Sequence, residues 1–335
     1  ISERGHCTLE GAELCFPQLL NTSCRKSTRP RSQAMTIFIL MSSISVLTVA
    51  LNLLVIISIS HFRKLQTPTN LLLLSLAVSD FLVGFLLMPG EVFRIVEACW
   101  LLGDLMCALY YYVGFVIISA SVGNMVLISV DRYVAICDPL RYPSKITPTR
   151  VKIYVCLCWI CSVFFNCLLL KDHLTQSGRQ KTCFGQCLFV ISYVEGAVDL
   201  VFNFICPISV IIALYVRVFV VAVSQARAMH SHVMTVQPGA TSVTVKKSEL
   251  KAARTLGIVI VIFLLCFCPY YFPSLTGQDI LSTASSTASV VWLLYFNSCL
   301  NPVIYAFFYP WFRKSVKLIV TLQILQPDSC EANIL

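Results

Sequence analysis

Apolar residues in this chain come in long blocks rather than in a stripe repeated every three or four positions. Seven blocks stand out, at 35–60, 69–89, 104–130, 153–170, 189–216, 253–273 and 287–308. Each is close to, or above, the about 20 residues a helix needs to cross a bilayer. A large soluble helical protein would show polar faces at helical spacing, and these blocks lack them. Several contain Pro or Gly, which membrane helices tolerate. The pattern predicts an all-α membrane protein, a bundle of seven transmembrane helices. Beyond the last block, Pro310-Trp311-Phe312-Arg313-Lys314-Ser315-Val316-Lys317 opens an amphipathic stretch, which predicts a short helix along the membrane surface. The expected organisation is a polar tail over 1–34, the seven-helix domain over 35–309, the amphipathic helix over 310–323 and a short, mobile tail over 324–335. The longest inner connection, about 220–248, is broken by Pro238-Gly239.

Composition sharpens this picture. The chain has 335 residues, 57% hydrophobic and 12% charged, with a mean hydropathy of +0.80. Soluble domains carry roughly a quarter charged residues. Sixteen of the 25 Lys and Arg fall in segments that would be cytoplasmic if the N-terminus lay outside, as the positive-inside rule prefers. Arg25, Lys26, Arg29 and Arg31 argue locally the other way. The sequon Asn21-Thr22-Ser23 overrules them, because Asn21 can be glycosylated only in the lumen or outside. Cys7, Cys15 and Cys24 beside it agree with an oxidising compartment. No cleavable signal peptide is visible, so the first helix is expected to serve as the insertion signal. The net charge of +9 is thus mainly topology, and no basic patch interleaved with aromatics points to nucleic acid.

Three constellations carry chemistry. The third block ends in Asp131-Arg132-Tyr133, and the sixth begins near Glu249. Arg132 could bridge both acids and hold two helices together, or it could simply snorkel to headgroups. The seventh block holds Asn297-Ser298-Cys299-Leu300-Asn301-Pro302-Val303-Ile304-Tyr305. Pro302 removes a backbone hydrogen bond beside three polar side chains. Asp80 lies in the middle of the second block, where an unpaired charge costs about 2.5–3.5 kcal/mol on insertion scales. With Asn52, Ser121, Asn297, Ser298 and Asn301 it would form a polar pocket holding either a sodium ion or only water.

Landmarks in every block now converge. Asn52, Asp80, Cys107 with Asp131-Arg132-Tyr133, Trp159, Pro207 with Tyr215, Cys266-Phe267-Cys268-Pro269 and the Asn301-Pro302-Val303-Ile304-Tyr305 run resemble those of rhodopsin-like G-protein-coupled receptors. Within them, NSCLNPVIYAFFYPWFRKS looks like the fingerprint of trace amine-associated receptors, and HFRKLQTPTN, EACWLLGDLMC and KAARTLGIVI are similar to the same family. The resemblance implies a disulfide between Cys107 and Cys187, and further pairs Cys15–Cys183 and Cys24–Cys99, with Cys7 left over. It also implies an amine ligand and a stimulatory, olfactory-type G protein raising cyclic AMP. The expected location is the plasma membrane of olfactory sensory neurons.

Amine receptors of this kind hold the ammonium with an Asp on helix 3, seventeen residues before Asp131; here that position is Gly114. The replacement lies in VEGAVDLVFNFICP. Asp199 stands eight residues before Pro207, where such receptors present a pocket-facing polar side chain. An acid inside a membrane segment is a functional candidate, and its attraction for an ammonium grows as the dielectric falls. The expected anchor has moved from helix 3 to helix 5, as in the fish-expanded branch of the family that this chain resembles. The alternative is a protonated Asp199 bonded to a neighbouring helix. Glu195, one turn earlier, either takes a second amino group or sits idle at a wet rim. Glu91 is a further rim candidate. Phe115, Ile118, Phe267, Tyr270, Tyr271 and Tyr295 are the expected walls, Phe267 standing where a Trp is more usual. Pro207 and Pro269 are the expected hinges, with Tyr215 and Tyr305 steadying the active form.

Rival classes do worse. A transporter predicts paired broken helices from inverted repeats, which are not seen. A photoreceptor needs a helix 7 Lys where Tyr295 stands. No nucleophile–base or metal constellation suggests an enzyme, and no cofactor is expected beyond the sodium alternative. The nearest rival is a rhodopsin-like receptor for a peptide or lipid, with Asp199 paired internally.

Overall fold

Threonine and proline together start two of the helices. The Thr67 hydroxyl accepts from the Asn70 amide and Pro68 takes the first helical position; Thr147, Arg150 and Pro148 repeat the device. Each hydroxyl satisfies an orphan donor, and each proline sits where its missing N–H costs nothing. In this computed structural model the described residues are 13–19, 21–26, 30–97, 99–175, 183–187, 192–233, 257–272, 284–332 and 334.

Within them lie α1 (Arg31–His61), α2 (Pro68–Val96), α3 (Gly103–Cys137), α4 (Pro148–Leu169), α5 (Tyr193–Val221, continuing as helix to Val233), α6 (Gly257–Phe272), α7 (Ala284–Phe308) and α8 (Pro310–Val320). The seven apolar blocks and the amphipathic stretch have become these eight helices. α3 runs through the middle, packed on α2, α4 and α5, while α1 packs on α2, α7 and α8. Outward faces such as Ile153, Leu157, Ile160 and Phe164 on α4 are exposed apolar surface, which suits lipid as the surrounding solvent. On α8, Trp311 and Phe312 are buried while Arg313, Lys314 and Lys317 face out, as an interfacial helix requires.

Prolines shape three spans. A π-turn at Val83–Leu87 precedes Pro89 in α2, and another at Val201–Ile205 precedes Pro207 in α5. Each widens the helix just before a residue that cannot donate to the turn behind it. In α7, Pro302 leaves the Ser298 carbonyl without its helical donor, and Asn52 Nδ2 of α1 fills the gap at 3.0 Å. That one bond explains an Asn buried in α1.

Three disulfides close one end of the bundle: Cys107–Cys187, Cys15–Cys99 and Cys24–Cys183. The last two exchange the partners that the resemblance implied. Backbone register decides it. Ser23 bridges Phe184 in parallel, and the Cys24 amide donates to the Phe184 carbonyl at 2.8 Å, which seats Cys24 beside Cys183. Cys15 lies against Gly185, whose carbonyl takes the Trp100 amide at 2.7 Å, so Cys15 meets Cys99. Gly185 has φ +97°, and its bare Cα leaves room for Cys15. Asn21 is exposed on the same cap; Cys7 lies outside the described residues.

The C-terminal segment differs from the mobile tail expected. His61 and Ser329 approach to 3.0 Å, Arg63 pairs with Glu331 at 3.4 Å, and Ile334 is buried in the main core. Ile334 has apolar area to hide, while Ser329 and Glu331 meet the end of α1 and the start of the α1–α2 connection.

Candidate functional site

Toward the disulfide end, α5 carries Asp199 two residues before its π-turn. Asp199 is only 4% exposed. Its Oδ1 accepts from Asn203 Nδ2 at 2.8 Å, and the Tyr271 hydroxyl of α6 donates to the same carboxylate. Among the described residues no Lys, Arg or His pairs with it. Two neutral donors therefore hold an acid inside a span, and one of them links α5 to α6. Asn203, four residues on, was legible as an i,i+4 partner; the Tyr271 link was not.

Aromatic rings gather on the α6 side of this acid. Phe204 stacks on Tyr271 at 4.6 Å between centroids, and Tyr270 meets Tyr271 edge-on at 4.9 Å. Tyr295 is buried and hydrogen-bonded to Tyr110. Phe267 lies deeper, stacked on Phe263 at 4.0 Å. Phe115 and Ile118 are half-buried on α3; Asn166 of α4 braces that stretch through Ser119 Oγ at 2.9 Å. Gly114 faces Leu87: a Cβ there would find only Leu87 methyls, at 3.5 and 3.9 Å.

Glu195 is committed elsewhere. It forms a capping box with Ser192, taking the Ser192 amide on Oε2 at 2.7 Å, and lies 3.4 Å from His173 Nε2. These bonds start α5 and dock it on the short helix Lys171–Thr175. Glu91 is 2% exposed and clamped by Arg94 through two nitrogens.

Midway along the bundle, Asp80 is fully buried; its Oδ2 accepts from Asn301 Nδ2 at 2.8 Å, and Ser298 also bonds to it. Ser121 and Asn297 are also buried. Asp80 Oδ1 and the side-chain oxygens of Asn52, Asn297 and Asn301 find no donor among the described residues. Orphaned oxygens of this kind fit a small hard cation or ordered water. Asn124, one turn beyond Ser121, is fully buried with its amide unsatisfied, and sequence reasoning passed it over.

At the opposite end Asp131 is nearly fully buried. It pairs with Arg132, whose guanidinium also contacts Thr69; Thr69 and Tyr142 hydroxyls donate to the two carboxylate oxygens at 2.9 and 2.8 Å. The proposed partner Glu249 lies outside the described residues. Arg132, Tyr305, Tyr309, Thr69, Met125 and Val259 line a cavity at this end. Tyr215 places its hydroxyl against Gly257, so α5 and α6 touch where α6 has no side chain. Pro207 and Pro269 are half-buried on their helices, above these contacts.

A family model described as "7 transmembrane receptor (rhodopsin family)" matches residues 51–305. The chain is 36% identical to trace amine-associated receptor 13c of Danio rerio, with 96% of each chain covered. It is 36% identical to trace amine-associated receptor 1 of Mus musculus, covering 94% of this chain and 98% of the relative. Trace amine-associated receptor 4 of Mus musculus is 35% identical, with 96% of this chain and 95% of the relative covered.

Proposed function

Because the chain belongs to the trace amine-associated receptors, within the rhodopsin family of seven-transmembrane receptors, we propose that it senses a protonated amine whose ammonium pairs with Asp199. It is a multi-pass membrane receptor and not an enzyme. One observation carries the amine reading: a buried carboxylate inside a span, reached by neutral donors and, among the described residues, by no cation. Such a group either stays protonated or takes a cation from outside. At an effective dielectric near 20, a unit positive charge 4 Å away is attracted by about 4 kcal/mol. Tyr270 and Tyr271 lie beside the acid, and an aromatic face that a cation meets adds about 0.5–2 kcal/mol. Gly114 offers no competing acid.

The same geometry supports a switch. Tyr271 and an incoming ammonium compete for one carboxylate, so the α5–α6 tie is what the ligand alters. Pro207 with its π-turn, and Pro269, let the two helices bend. Tyr215 then slides on Gly257, Arg132 leaves Asp131 for a heterotrimeric G protein, and Tyr215 and Tyr305 steady the open form. The ligand drives this only as far as it prefers the open form; a shift from 1:99 to 99:1 needs a preference of about 10⁴-fold. The reading extends to a stimulatory, olfactory-type G protein and rising cyclic AMP. It puts the receptor in the plasma membrane of olfactory sensory neurons, with the Asn21 tail outside and sodium or water at Asp80.

The Tyr271 bond also favours a second reading, in which Asp199 is an internal tie and the ligand is a peptide or lipid. Agonist concentration–response curves for Asp199→Asn separate the two: the amine reading requires loss of amine potency at normal surface expression.

A further inference from the structure

A second buried carboxylate lies toward the disulfide end of the bundle. On α2, Glu91 is buried and Arg94 grips it with Nε at 3.1 Å and Nη2 at 2.5 Å. Arg94 Nη1 makes no hydrogen bond among the described residues, and the side chain keeps 28% exposure. This pair is not isolated from Asp199. Tyr271 bonds to Asp199, and Tyr270 lies in electrostatic reach of both Asp199 and Tyr111. Tyr295 bonds to Tyr110 and lies in electrostatic range of Tyr270, Tyr111 and Glu91. Tyr110 in turn donates to the Leu87 carbonyl at 2.9 Å and lies 3.5 Å from Glu91 Oε2. Tyr110 and Tyr111 pack beneath the Cys107–Cys187 bridge. Two packed phenol pairs thus stand at the two acids, Tyr270 with Tyr271 beside Asp199 and Tyr110 with Tyr111 beside Glu91.

We propose that the Glu91–Arg94 pair receives the far end of the ligand and selects an amine that carries an acceptor oxygen, a hydroxyl or carboxylate, against one that carries a second ammonium. The inference rests on Asp199 holding the near end. Its logic is donor inventory. Both Glu91 oxygens are already taken by a bidentate clamp, so a second ammonium would have to displace Arg94 from a buried partner. The guanidinium has donors to spare and no acceptor. An oxygen acceptor therefore meets ready partners, whereas a second cation meets like charge.

The test uses full-length receptor purified in detergent and reads ligand-dependent thermal stabilisation, which reports affinity without reference to coupling. The probes are pentylamine, aminopentanol, aminopentanoate and diaminopentane, each with its butyl to octyl homologues. In the wild type, the amino alcohol or amino acid series should bind more tightly than the monoamines, and the diamines no more tightly. Arg94→Gln should weaken only the oxygen-bearing probes, by about tenfold, the usual scale of a lost charge-assisted hydrogen bond. The Glu91→Gln/Arg94→Gln double variant, which leaves no unpaired charge, should do the same if the single variant does not fold. An equal shift for all four probes, or none, would mean the pair is only framework and would overturn the proposal. So would diamines that bind best and weaken with Glu91→Gln. Asp199→Asn separates the premise: if it leaves every probe unaffected, the ammonium is not held there, whatever Arg94 does. A wild type stabilised by no probe overturns both.

Discussion

Replacing Asp199 by Asn removes a charge and almost nothing else. Asn keeps the shape and an oxygen that can still accept from Tyr271, so the link between α5 and α6 can persist. Asn203 Nδ2, now 2.8 Å from Asp199 Oδ1, can likewise keep an acceptor oxygen. What disappears is attraction for a cation, about 4 kcal/mol at 4 Å before desolvation of the ammonium is charged against it. Net values for hydrogen bonds to charged groups are about 1.5–3 kcal/mol, which corresponds to a loss of roughly ten- to 150-fold in affinity. The assay is twofold: thermal stabilisation of purified receptor by a panel of alkylamines, and their concentration–response curves in cells with surface expression quantified. Both should move together, and Asp199→Glu should retain part of the response. An amine potency within threefold of wild type, at equal surface expression, refutes the reasoning and leaves Asp199 as an internal tie.

Three further outcomes follow from particular contacts. Since a Cβ at Gly114 meets only Leu87 methyls at ordinary distance, Gly114→Asp is expected to fold and, combined with Asp199→Asn, to restore amine binding measured by thermal stabilisation. Gly257→Val should drive a side chain into the Tyr215 hydroxyl and ring and lower maximal signalling in a cyclic AMP assay while leaving amine affinity, read by thermal stabilisation, near wild type. Peptide mapping under non-reducing conditions should return Cys15 linked to Cys99 and Cys24 to Cys183. Recovery of Cys15 with Cys183 would contradict the register set by Ser23 and Phe184.

Seven spans, the amphipathic helix and the acid on the fifth span could all be read along the chain, because each is local. A block of apolar residues inserts wherever it stands, and Asp199 is placed by its distance from Pro207. Even the Asn203 partner follows from helical spacing. Other features depend on which segments meet, and no spacing reports that. Asn52 is buried because Pro302, 250 positions away, leaves a carbonyl on Ser298 that needs a donor. Cysteine pairing follows the register of a tail against a loop, so the right six cysteines came with two partners exchanged. Glu195 and Asp199 share a helix face in sequence, yet a capping box and His173 claim the first, while Tyr271 and Asn203 claim the second. The chain by itself determined which groups are costly to bury. Only the packed bundle decided what satisfies each of them, since hydrogen bonds and ion pairs act over a few ångströms and that proximity is a property of the fold.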